Sequence, residues 1–104
     1  MKKKIFVDID GTICTQDGMD YESARPIHNR IEKVNEWYDQ GHQIVYWTAR
    51  GASLYDPDEK NKLYELTKTQ LDHWGCKYWK LDMRKPIYDE FYDDRNFNAR
   101  ELDA

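Results

Sequence analysis

A chain of 104 residues with 20 acidic and 16 basic side chains carries a net charge of -4, which gives no broad attraction to nucleic acid or to an anionic membrane. Its 39% hydrophobic content supplies one core, and its length leaves no room for a second substrate-binding domain, so a single domain over residues 1–104 is expected. No stretch approaches transmembrane length, and Asp8 and Asp10 interrupt the apolar run after Lys2-Lys3-Lys4 too early for a signal peptide.

The first element in chain order is a strand over about Lys3 to Ile9, and it runs into Val7-Asp8-Ile9-Asp10-Gly11-Thr12-Ile13. Two carboxylates at the exit of a buried strand, followed by a glycine for a sharp turn, stand at the ligand edge of an open α/β sheet. There they can hold a divalent cation or attack phosphorus. A polar loop from Gly11 to Arg25 follows and ends at Pro26. Ile27, Ile31, Val34 and Trp37-Tyr38 then recur at helical spacing, and Gly41 supplies the stop.

Gln43 to Trp47 reads as a second strand, buried on both faces. Asp56-Pro57 opens a second helix whose inner face carries Leu63, Leu66, Thr67, Leu71 and Trp74. Lys77 to Leu81 is expected as the third strand, Glu90 to Tyr92 as a fourth, and Asn98 to Ala104 as a final helical turn or two. Trp37, Trp47, Trp74 and Trp79 are expected in the core. Cys14 and Cys76 lie far apart with no C-x-x-C pair, which indicates packing residues in a reducing, cytoplasmic setting. His28, His42 and His73 lack metal-ligand spacing.

Strand-helix-strand-helix order predicts a three-layer α/β fold with a mainly parallel sheet and right-handed crossovers. In such a sheet the strand ends converge. Asp8 and Asp10, then Thr48-Ala49-Arg50, then Lys85, then Asp93-Asp94 would meet at one edge and form a set suited to a phosphate ester with Mg²⁺. Taken alone, Thr48 would pass for a strand-end residue, Lys85 for a solvated charge and Asp93-Asp94 for an acidic turn. Their order and spacing make the pattern.

These motifs resemble those of the haloacid dehalogenase (HAD) superfamily of phosphatases: DxDGT after an apolar strand, a strand ending in Thr, a Lys, and a later acidic pair. The stretches GTICT, GHQIVYWTARG, LTKTQLDHWGCKYWKL and RKPIYDEFYDD further resemble small capless members associated with capsular and other surface polysaccharide biosynthesis. Arg84, and Arg95-Asn96-Phe97, depart from that group's pattern.

The resemblance implies a Rossmann-like HAD core without a cap domain. It implies Asp8 as nucleophile and Asp10 as general acid/base. Thr48, with backbone N–H groups near Ile9, Asp10 and Ala49, would hold the phosphoryl group, and Lys85 would neutralise charge. Mg²⁺ would be bound by the Asp8 carboxylate, the Asp10 backbone carbonyl and Asp94, with Asp93 assisting directly or through water. Asn98 would orient Lys85 or a metal-bound water.

Arg50 and Tyr21 are candidate substrate contacts, along with Thr15 and Glu22 of the short flap. A neighbouring subunit of a homo-oligomer could add others. The expected activity is hydrolysis of a small phosphate monoester, a phosphosugar in polysaccharide or nucleotide-sugar metabolism. The alternatives are a nucleotide or nucleic-acid end phosphatase and a non-catalytic phosphate-ligand module on the same scaffold. An EF-hand counted from Asp8 fails, because Ile13 and Met19 stand where it needs Gly and Glu.

Overall fold

Gln43-Ile44-Val45-Tyr46-Trp47 is β-branched and aromatic throughout, and it becomes the central strand. In a computed structural model describing residues 1–104, β2 (Gln43–Trp47) lies between β1 (Lys4–Val7) and β3 (Lys80–Asp82) in a parallel sheet of order β1-β2-β3. Ile5 pairs with Ile44, Val7 with Tyr46, and Tyr46 with Leu81. Side chains paired in register point to one face.

That face builds the core. Val7, Ile44, Tyr46 and Leu81 pack with Ile31 and Val34 of α1 (His28–Asp39) and Leu71 of α2 (Pro57–His73), and Ile9, Ile13 and Cys14 complete the cluster from the loop after β1. Proline at the first turn of α2 has no N–H to leave unsatisfied, and the Asp56 carboxylate accepts from the Asp58 N–H at 3.0 Å, so Asp56 caps the helix that Asp56-Pro57 was expected to open. Gly41, at φ +98°, takes the left-handed conformation that ends the turn after α1.

Two layers are observed where three were expected. Strands that neighbour one another in sequence order, joined by right-handed crossovers, step across the sheet in one direction and leave both helices on the same side. The opposite face carries Phe6, Val45 and Lys80 in register, and no helix covers it. Phe6 is half exposed there and meets Trp47 edge-on at 5.6 Å between ring centroids.

The expected fourth strand is not formed. Glu90-Phe91-Tyr92 is a short run flanked by acids, with Pro86 before it, and residues 83–98 are irregular and largely exposed. The third strand begins at Lys80 rather than Lys77, because the residues before it are bonded to the helices. The Lys77 N–H donates to Asn35 and the Tyr78 hydroxyl to Asp72. Trp79 is half exposed on the uncovered side with the Lys4 ammonium over its ring, so it is not a core residue, whereas Trp37 and Trp74 pack against the core as expected.

The chain ends in a 3₁₀ turn, Ala99–Asp103, capped reciprocally by Asn98 and Glu101 and tied back to α1 by Arg30. Asn98 therefore serves as a helix cap.

Candidate functional site

The apolar stretch that makes β1 ends at Val7, and the chain turns at once. The Ile9 carbonyl accepts from the N–H groups of Thr12 and Ile13, and Gly11 sits at φ +81°, a region that side chains with a Cβ disfavour. This turn lifts Asp8 to the sheet edge. Its carboxylate accepts from the Thr12 hydroxyl at 3.2 Å on one oxygen, and the Lys85 ammonium lies 3.3 Å from the other.

Lys85 arrives from the far side of the sheet by a defined route. The Thr48 N–H donates to the Asp82 carbonyl at 3.0 Å and the Lys85 N–H donates to the Thr48 carbonyl at 3.2 Å, so the ends of β2 and β3 fix where the lysine begins. Its ammonium then lies between the rings of Trp47, at 5.5 Å, and Tyr88, at 5.3 Å. Two aromatic faces and one carboxylate hold a positive charge in place without neutralising it fully.

The backbone completes this group. The N–H groups of Ile9, Asp10 and Ala49 donate no hydrogen bond within the chain, although Ile9 is fully buried. Buried N–H groups in folded proteins are nearly always paired, so the unpaired donor of Ile9, with those of the partly exposed Asp10 and Ala49 beside it at two adjacent strand ends, suits a place that receives an acceptor. Thr48 is buried beside them, as Ile9 is, and its hydroxyl oxygen accepts from the Arg50 N–H, leaving the hydroxyl proton available.

Asp10 and Arg50 form a second, separate unit. Nε and Nη2 of Arg50 each donate to a different oxygen of Asp10 at 2.8 Å, and Nη1 donates to Thr67 Oγ1 at 3.1 Å and Gln70 Oε1 at 2.6 Å. Tyr21 lies over the guanidinium with its ring centroid at 4.7 Å, and its carbonyl accepts from the Gln70 amide at 2.7 Å. The arginine side chain is wholly buried. Four of its five N–H donors are engaged inside the protein, which ties Arg50 to Asp10 and to α2 in this arrangement. Tyr21 is engaged with it, and burial, followed by the Asp10 charge, pushes its phenol up from the usual range.

The flap closes on itself through Thr15, whose hydroxyl accepts from the Arg25 N–H and whose own N–H donates to the Arg25 carbonyl. Cys14 is a buried packing residue. Burial, with Asp10 beside it, raises its thiol to about 12.

The expected Mg²⁺ ligands are not assembled. Asp93 and Asp94 are exposed, with Asp93 turned onto the Arg95 N–H at 2.8 Å. No three His, Cys, Asp or Glu side chains gather in a metal-holding group. The expected ligands thus lie apart in this arrangement, whereas a Mg²⁺ shell asks for several oxygens in near-octahedral order.

Sequence reasoning missed Thr12, Gln70 and the aromatic pair around Lys85. Gln70 left a faint signal, a polar side chain next to Leu71 on the buried face of α2. Thr12 left none beyond its place in the turn.

The fold defines a small α/β protein with a three-stranded parallel sheet. The chain is similar to a structural-genomics target from Vibrio cholerae known from its crystal structure, at 31% identity and a TM-score of 0.84, over 98% of this chain and 87% of that one. It belongs to the family of that protein. No protein-family model and no curated protein matches it.

Proposed function

We propose that the chain is a phosphate monoester hydrolase of the HAD type, with its two-layer sheet serving as a reduced version of that Rossmann-like core. The observation that carries this reading is the group of unpaired N–H donors of Ile9, Asp10 and Ala49, set beside a carboxylate, Asp8, and an ammonium, Lys85. Donors for phosphoryl oxygens, a nucleophile and a fixed cation are the parts that phosphoryl transfer requires.

In this reading an Asp8 oxygen forms a bond to phosphorus as the bond to the leaving oxygen breaks, giving an aspartyl-phosphate. The leaving oxygen takes a proton from Asp10. Water then attacks phosphorus, gives its proton to Asp10 and frees Asp8. Asp10 can serve only when its bidentate pair with Arg50 opens, since both of its oxygens are engaged while the pair is closed. Thr48 and Lys85 balance the charge that builds on the transferred group.

Mg²⁺ is the proposed cofactor on the strength of the acid-rich motifs, and its binding by Asp94 with Asp8 requires residues 83–94 to rearrange. A phosphosugar is the proposed substrate and the cytoplasm the proposed location.

The test is hydrolysis of a panel of phosphate esters with Mg²⁺. Asp8→Asn, which keeps shape and loses the nucleophilic charge, is expected to abolish turnover with the fold intact by circular dichroism, and chelation by EDTA is expected to stop the parent. Activity in Asp8→Asn within about tenfold of the parent would overturn the assignment, since loss of a nucleophile costs far more than that. Anion binding with no turnover on any ester would favour the non-catalytic module, which the closed Asp10–Arg50 pair also suits.

A further inference from the structure

The loop after β3 and the first half of α2 form the two walls of a cleft of about 640 Å³, within the usual range for small-molecule sites. Lys60, Asn61 and Tyr64 come from α2, and Arg84 and Lys85 come from the loop. No carboxylate lines it. In a protein of net charge -4, a concave surface lined by four basic residues, of which Arg50 is engaged with Asp10, and by no acid is a local inversion of sign, and such a cleft concentrates anions.

The individual charges bear this out. Lys60 takes part in no ion pair. Arg84 donates Nε and Nη2 to Asp82 at 3.0 and 2.9 Å, but its side chain is largely exposed, so it keeps donors free toward the cleft. Asp58 and Glu59, in the first turn of α2, do not line the cavity.

Lys85 is shared: it lines the cleft and stands 3.3 Å from Asp8. A phosphate held at the strand ends would thus have the rest of its molecule directed along a wall that offers an amide, a phenol and two further cations. Hydroxyl groups match Asn61 and Tyr64. Lys60 and Arg84 match a second negative charge.

We propose that the cleft binds the body of the substrate and that this substrate carries a second anionic group, a phosphate or a carboxylate, recognised by Lys60 and Arg84. The proposal rests on the reading of Asp8 and Lys85 as a phosphate site. It moves selectivity from the flap and Arg50 to α2 and residue 84.

Calorimetric titration of full-length Asp8→Asn protein with a hexose bisphosphate, a phosphogluconate and a hexose monophosphate tests it. The two doubly anionic probes are expected to bind about tenfold more tightly than the monophosphate, the contribution of one charge-assisted hydrogen bond. An advantage for the bisphosphate alone identifies phosphate as the second group, and an advantage for both identifies anionic charge in general.

Adding Lys60→Ala and Arg84→Ala, both surface changes compatible with folding, is expected to bring all three affinities within about twofold, leaving the monophosphate unchanged. Equal affinities for the three probes before those changes, or a preference that survives them, would overturn the proposal. Failure of the phosphatase reading is seen separately, as a parent protein that hydrolyses none of the three esters while the ratio of affinities still decides the cleft.

Discussion

The Arg50 side chain makes four hydrogen bonds, and it does so without solvent contact. Both partners of the Asp10 pair are removed from water, the arginine fully and the aspartate nearly so. Such a pair is costly to form and costlier to break, because removing one member leaves the other charge buried and unmatched. Arg50→Met is expected to lower folding stability by roughly 3–5 kcal/mol, measured by urea denaturation. Arg50→Lys is expected to recover part of that loss, since it keeps the charge and loses the planar fork.

At this scale the sequence announced Asp8, Thr48 and Lys85 through their order along the chain. It could not announce that Asp10 faces a guanidinium 40 positions away. A charged residue reads the same in sequence whether it turns to solvent or into a ring of acceptors, and only the packing of α2 decides which.

The elements follow the sequence where periodicity is strong. Both helices and the central strand stand where apolar spacing puts them, because their buried faces are long enough to outweigh local preference. The short pieces are different. A three-residue run such as Glu90–Tyr92 has too little buried surface to hold a strand without a neighbour that the sequence cannot name.

The terminal 3₁₀ turn makes this dependence measurable. Asp103 accepts from Arg30 and from Asn29, and those bonds, the Arg30 pair first, hold its carboxyl down from the usual 3.8 to about 2. A carboxyl whose folded value is depressed adds stability above its unfolded value and loses it as pH falls toward the folded one. The turn is therefore expected to stay docked on α1 at neutral pH and to detach between about pH 4 and pH 2. Amide exchange at Ala99–Asp103 would report this. Detachment complete well above pH 4, or independent of Arg30→Ala, would refute it.

The whole molecule is a one-sided sheet. Its radius of gyration is 13.5 Å against about 13 Å for a close-packed chain of this length. The excess fits the irregular residues 83–98, which carry exposed Ile87, Tyr88, Phe91, Tyr92 and Phe97. Their attachment runs through Lys85, which meets Asp8, Trp47 and the Thr48 carbonyl, while the Tyr88–Phe91 ring contact at 5.3 Å lies within the segment. Chymotrypsin under native conditions is expected to cut first within 88–97, ahead of any site in the helices, as mass spectrometry of the first fragments would record. First cleavage inside α1 or α2 would contradict this picture.

The ring of contacts around Arg50 also bears on how this sequence can change over time. One guanidinium serves four partners drawn from the turn, the flap and the second helix, so none of those positions is free to drift alone. A lineage that replaced Arg50 while keeping Asp10 would pass through an intermediate with an orphaned charge. Exchange at these positions is consequently concerted, and a chimera that takes Asp10 from one relative and residue 50 from another inherits the fault of both parents and the compensation of neither.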